Sequence, residues 1–166
     1  IFHAPTRGLM GYTSRFLTLT KGTGVINRIF HSYGEYTGDM EGRRNGALIS
    51  MENGKAVAFA IFNLQARGEM FVTHNDPVYE GMIVGISSKS GDLEINVLKG
   101  KKLTNMRTQG TDENVVLTPV RKIAIAEQLS MLNTDEALEI TPKSCRLRKL
   151  ILDPHERKRQ SRAKAS

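Results

Sequence analysis

Cysteine is almost missing from this chain of 166 residues. Cys145 stands alone, so no internal disulfide can form, and a reducing cytoplasm is the simplest compartment. A lone cysteine of this kind reads as a small buried hydrophobe rather than as a reactive thiol. No apolar run reaches the roughly 18 residues of a membrane-spanning helix, and no signal-peptide pattern opens the sequence. The expectation is a soluble, cytoplasmic protein without a membrane partner. The first residue is Ile1 in a strand-like Ile-Phe-His-Ala, which reads as a start inside a larger protein.

Signatures of catalysis are missing as well. A phosphate-cradling loop needs spaced glycines followed by Lys and Ser or Thr at a helix mouth. Gly54-Lys55-Ala56 lacks the hydroxyl and the upstream glycine, Gly100-Lys101-Lys102 fails in the same way, and Gly22-Thr23-Gly24 is a turn. His3, His31, His74 and His155 are far apart and show no paired ligand spacing. No serine stands in a nucleophile elbow. No catalytic residue, metal ligand or cofactor is expected in this chain.

Positive charge is present, and its place is informative. From Lys143 onward there are nine basic residues and two acids, which carry the entire formal charge of +7, while the preceding residues hold fifteen of each. Arg146, Arg148 and Lys149 belong to this cluster. Such a concentration suits nucleic acid or another anionic surface, or else a solvated tail.

Residues 1–5 read as a strand, 7–20 as a helix with apolar residues at helical spacing, 21–24 as its glycine-rich stop, and 25–36 as a second strand. Residues 37–45 are turn-rich and polar and form the candidate linker. Its pair Arg43-Arg44 suits phosphate contact or a salt-bridged hinge. A second unit follows, mixed α+β, over 46–153. It has strands near 47–51, 70–73, 82–87, 92–98 and 115–118, a buried helix near 55–67 and another near 123–132. Extended segments at 137–141 and 144–150 flank Pro142. Asp153-Pro154-His155-Glu156 is a helix start, with a capping acid, Pro at the first position and Glu at the third. The helix it opens, within the tail 154–166, is polar all round and has no face to bury.

Between the 92–98 strand and the 115–118 strand lies a segment unlike the rest. It carries Lys99, Lys101, Lys102 and Arg107 with no acid up to Gly110, and has neither helical nor strand periodicity. Loops of this length are either functional or simply solvated. Four cations, the amide of Asn105, the hydroxyls of Thr104 and Thr108, and the soft apolar Met106 would suit a phosphate-rich surface with exposed bases. No aromatic stands in the segment, so electrostatics rather than stacking would supply affinity.

Six stretches, in order, carry a resemblance: 7–22 (RGLMGYTSRFLTLTKG), 42–46 (GRRNG), 50–65 (SMENGKAVAFAIFNLQ), 78–85 (VYEGMIVG), 100–107 (GKKLTNMR) and 141–149 (TPKSCRLRK). Together they resemble the C-terminal part of the BipA (TypA) family of bacterial translational GTPases. The resemblance implies that 1–36 is the second half of a ferredoxin-like domain, strand-helix-strand, as in domain V of elongation factor G. It implies that 46–153 is the C-terminal domain particular to the family. It further implies a parent that hydrolyses GTP with Mg2+ in an N-terminal domain absent from this sequence, and that this region packs against upstream domains. The expected partners are the ribosome, its rRNA and A-site tRNA, with roles in ribosome assembly and stress-adapted translation. On this reading Lys99, Lys101, Lys102, Leu103, Thr104, Asn105, Met106, Arg107, Arg43, Arg44, Arg146, Arg148 and Lys149 are the RNA-binding set. Cys145 stands where an aliphatic residue is more usual, a packing swap. The alternative from another class is a regulatory domain that binds a protein partner through apolar patches.

Overall fold

The computed structural model describes residues 1–9, 12–38, 43, 45–100, 116–120 and 123–165. The expected helix of the first unit is α1 (Tyr12–Leu19), preceded by a 3-10 turn at Thr6–Leu9. It stops where the glycines predict: Lys21 and Gly22 take positive φ, 52° and 80°, and the Gly22 N–H donates to the Leu17 carbonyl at 2.7 Å. The flanking segments come together at His3 and His31, whose rings lie 4.3 Å apart. Neither segment forms the strand expected at 1–5 and 25–36, and both are largely exposed. A strand exists only as one rail of a ladder, and no described residue offers either segment the other rail.

The second unit is built on β1 (Ala47–Ser50), buried at every position and at most 2% exposed, as befits a strand covered on both faces. A small ladder of β2 (Gly54–Lys55) with β4 (Pro77–Val78) brackets α2 (Ala58–Gln65) and β3 (Gly68–Met70). β5 (Ile83–Ser87) runs antiparallel to β1, and β6 (Leu93–Ile95) runs parallel to it, giving the order β3-β5-β1-β6. After α3 (Ile125–Ser130), β7 (Glu136–Ile140) and β8 (Cys145–Lys149) form a hairpin, and α4 (Pro154–Ala165) closes the described chain. The mixed α+β class is as expected. The strand expected at 115–118 is absent over 116–118.

Alternation on the sheet separates two cores. Leu48 and Val84 face Ile61 of α2 together with Val72, Ile95 and Val97. Ala47, Ile49 and Ile83 face the other way, onto Leu147 and Leu138 of the hairpin. The hairpin therefore covers a sheet face, with each large side chain buried there contributing about 1.5–3 kcal/mol.

Gly81 sets how the hairpin and α4 approach the sheet. It takes φ +80°, its N–H donates to the Ser50 carbonyl at 3.0 Å, and its carbonyl accepts from the Lys149 N–H at 2.9 Å. A Cβ there would lie 2.7 Å from the Leu152 Cα, so only glycine allows both the backbone angle and the approach.

Candidate nucleic-acid interface

The hairpin sorts the basic residues of β8 by parity. Thr141 and Ser144 close the turn around Pro142, the Thr141 hydroxyl donating to the Ser144 carbonyl at 2.9 Å and accepting from its N–H at 3.1 Å. With this turn, Glu136 pairs with Lys149, Leu138 with Leu147, and Glu139 with Arg146. Leu147 and Lys149 share the face turned to the sheet, while Arg146 and Arg148 share the opposite one.

Lys149 is therefore buried, 2% exposed, and its ammonium donates to Asp92 at 2.5 Å, Asp135 at 2.7 Å and Glu136 at 2.8 Å. Arg43 enters the same cluster from the chain just before β1. Its guanidinium forks onto Glu136 at 2.6 and 2.5 Å, lies 3.8 Å from Asp92, and donates to the carbonyls of Met131 at 3.1 Å and Asn45 at 2.8 Å. Burial pushes the Asp92 carboxyl up, but the Lys149 hydrogen bond, the Ala47 N–H and the charges of Lys149 and Arg43 outweigh it and hold the carboxyl below its ordinary range. Burial pushes Lys149 down, but its three carboxylate partners prevail and raise it. Arg43 and Lys149, expected in the RNA-facing set, are thus turned inward with their charges neutralised. The physical reason is the strand parity of β8 and the fork that Glu136 offers Arg43.

Asp92, Asp135 and Glu136 bring carboxylate oxygens within 4.8 Å of one another, a spacing that could suit a cation. What they hold is the Lys149 ammonium, and the guanidinium of Arg43 takes both Glu136 oxygens, sharing Oε1 with Lys149. The cluster is a five-residue ion network that ties the approach to β1, the approach to β6 and the hairpin into one body.

The outward face is different. Arg146 keeps 29% of its side chain exposed and meets Glu139 only at 3.6 Å. Arg148 is half-buried and donates to the Lys149 carbonyl at 3.2 Å. Beside them the Tyr79 hydroxyl donates to Glu139 at 2.5 Å. Burial first, then this bond and the Glu139 charge, push the phenol up to about 12 against the opposing pull of Arg148 and Arg146.

Lys99 is exposed at the root of the cationic segment. That root is fixed. Val97 is fully buried, and its carbonyl accepts from the N–H of Val57, the cap of α2. The far root is held at the other end of the same helix, where the Gln65 amide pairs with the backbone of Thr118. Lys101, Lys102, Leu103, Thr104, Asn105, Met106 and Arg107, with Arg44, lie outside the described residues.

α4 starts as its sequence predicts. Asp153 accepts from the N–H groups of His155 at 2.6 Å and Glu156 at 3.0 Å, and these bonds hold its carboxyl below the ordinary range. The helix does have an inner side, made by charge. Arg157 is half-buried, donates to the carbonyls of Ile151 at 3.0 Å and of Leu152, and pairs with Glu94 of β6 at 3.1 Å. Lys158 reaches the other Glu94 oxygen at 3.3 Å. Among the described residues no helix is long and apolar enough to cross a membrane.

Asp92, Glu94, Asp135, Glu136, Tyr79 and Gln65 are the residues that reading the sequence missed. A signal for part of the network was present: Glu136 and Glu139 mirror Lys149 and Arg146 across the Pro142 turn, which places opposite charges directly across a hairpin.

The sequence profile described as the TypA/BipA C-terminal domain matches residues 45–154. A large ribosomal subunit assembly factor BipA from Buchnera aphidicola is 50% identical over 158 residues, covering 95% of this chain and 26% of the relative. Proteins of the same description from Escherichia coli O6:H1 and Haemophilus influenzae are 49% identical over 160 residues and 45% identical over 163. They cover 96% and 98% of this chain and 26% of each relative. The chain spans about a quarter of the length of the curated relatives it matches. With a profile matching well over half of its residues and relatives matching nearly all of them, the chain belongs to the TypA/BipA family and carries that family's C-terminal domain.

Proposed function

We propose that this chain is a docking region for ribosomal RNA. It serves a cytoplasmic, ribosome-binding member of the family in large-subunit assembly and in translation adapted to stress. The cationic segment, with Lys99, Lys101, Lys102 and Arg107 on phosphates and Leu103, Thr104, Asn105 and Met106 on sugars or bases, contacts rRNA and A-site tRNA. Arg146, Arg148 and the basic tail add phosphate contacts, and Arg44 joins them. GTP hydrolysis with Mg2+ belongs to residues of the longer protein outside this sequence. The organisation that accompanies this reading is a half-domain at 1–36 that packs on upstream domains, a linker at 37–45, the family domain at 46–153 and the tail at 154–166.

The observation that carries the reading is the contrast between two sets of cations. Arg43 and Lys149 are sealed among carboxylates, whereas Lys99 and Arg159 remain at the surface and Arg146 is partly exposed. A protein that needed only internal neutralisation has no reason to leave the second set at the surface. Family membership beside relatives described as large ribosomal subunit assembly factors supports the same partner. Co-sedimentation with purified large ribosomal subunits tests it. Replacing Lys101, Lys102 and Arg107 with Ala is expected to weaken binding without lowering the melting temperature. A complex that survives both high salt and nuclease would instead indicate a protein partner.

A further inference from the structure

Three of the exposed residues of α4 fall on one line. His155, Arg159 and Arg162 are exposed and stand at i, i+4 and i+7, so they lie within about 60° of one another around the helix and span about 10 Å along it. Arg157 lies roughly opposite, on the side that meets β6. A surface helix normally has its rotation fixed by an apolar stripe packed against a core. Among the described residues α4 packs no such stripe; Arg157 anchors its start to the carbonyls of Ile151 and Leu152, and Glu94 ties it to β6, taking Arg157 on one oxygen at 3.1 Å and Lys158 on the other at 3.3 Å.

We propose that Glu94 is a positioning residue for RNA: through Arg157 and Lys158 it sets the rotation of α4 so that His155, Arg159 and Arg162 form an edge that follows a phosphate backbone. The inference rests on the RNA reading above and adds to it a residue of negative charge. RNA is favoured over a bilayer because α4 has no apolar face to insert among acyl chains. It is favoured over an acidic protein because the exposed helix has no aromatic or large apolar side chain to form the dry centre of a protein interface.

Glu94→Gln separates positioning from simple charge, because the two effects have opposite signs. The substitution removes a negative charge, which on electrostatics alone strengthens binding to any polyanion. On the positioning account it frees α4 to rotate and weakens binding. In the intact protein, titrated with purified large ribosomal subunits across a salt series, Glu94→Gln is expected to lose about fivefold in affinity and to give a shallower dependence on salt. Glu94→Asp, which keeps the anion, is expected to restore most of the loss. Replacing His155, Arg159 and Arg162 with Ala is expected to weaken binding at least as much, and in that background a further Glu94→Gln change is expected to cause no additional loss. Glu94→Gln that binds as tightly as the parent or more tightly, while the triple variant is weakened, overturns the positioning role and leaves the RNA reading standing. A triple variant that binds like the parent removes α4 from the interface and overturns the inference. Loss of binding to phosphatidylserine vesicles, with ribosomal binding unchanged, reassigns the edge to a membrane surface.

Discussion

The side-chain amide of Gln65 makes a reciprocal pair with the backbone of Thr118, donating to its carbonyl at 3.2 Å and accepting from its N–H at 3.4 Å. Gln65 is the last residue of α2, and Val57, the cap at the other end, holds the Val97 carbonyl at 2.9 Å. One short helix therefore fixes both roots of the cationic segment. Gln65→Ala is expected to cost about 1 kcal/mol, as for hydrogen bonds that are partly exposed. Its marker is faster amide exchange at Thr118 with unchanged exchange in β1. Protection at Thr118 that survives the substitution would show that the far root is held by something else.

Arg43 and Glu136 bury a charged fork whose side chains are 6% and 0% exposed. Removing one partner strands the other, so Arg43→Ala is expected to destabilise by about 3–5 kcal/mol. Replacing Arg43 and Glu136 together with apolar residues of similar size is expected to cost less than the two single changes summed. Denaturant midpoints for the cycle measure this coupling.

The pH dependence follows from three groups. Asp92 is held below its ordinary range, so its contribution is present above about pH 4 and lost as pH falls through its lowered value. Lys149 is raised, so its contribution is present below about pH 10.4 and lost as pH rises through its higher value. Tyr79, raised to about 12, keeps its proton in the folded chain and loses stability above the ordinary phenol value of about 10. Urea midpoints are expected to be flat with respect to these groups from about pH 5 to pH 9. They should fall on both sides, with Tyr79→Phe shrinking the alkaline step. An unchanged alkaline step in that variant would contradict the Tyr79–Glu139 assignment.

Gly81→Ala combines a positive φ with a Cβ placed 2.7 Å from the Leu152 backbone. The expected cost is about 1–3 kcal/mol. Because Leu152 leads directly into α4, the chemical shifts of α4 are expected to move with those of the hairpin.

Legibility in the sequence followed the range of the forces involved. α2 and β1 were readable because burial repeats along the chain, and α4 because Asp153-Pro154-His155-Glu156 is a local cap. The strands expected at 1–5 and 25–36 failed because a strand depends on a partner that no local pattern supplies. The two misplaced cations, Arg43 and Lys149, failed for a related reason: basic composition reports a charge but not its neighbours. Glu136 lies 93 positions from Arg43, beyond any motif, whereas its pairing with Lys149 was available from the mirror symmetry of the hairpin. Glu94 carried no signal at all, since its role exists only once α4 has folded back onto β6.

The salt dependence of binding to purified large ribosomal subunits tests the RNA reading most directly. Each phosphate contact made by a cation adds about 0.7–0.9 to the slope of log affinity against log salt. Replacing Lys101, Lys102 and Arg107 with Ala is therefore expected to flatten the slope by about 2 or more and to weaken binding at every salt concentration. A slope and an affinity identical to the parent's in that triple variant would contradict the account.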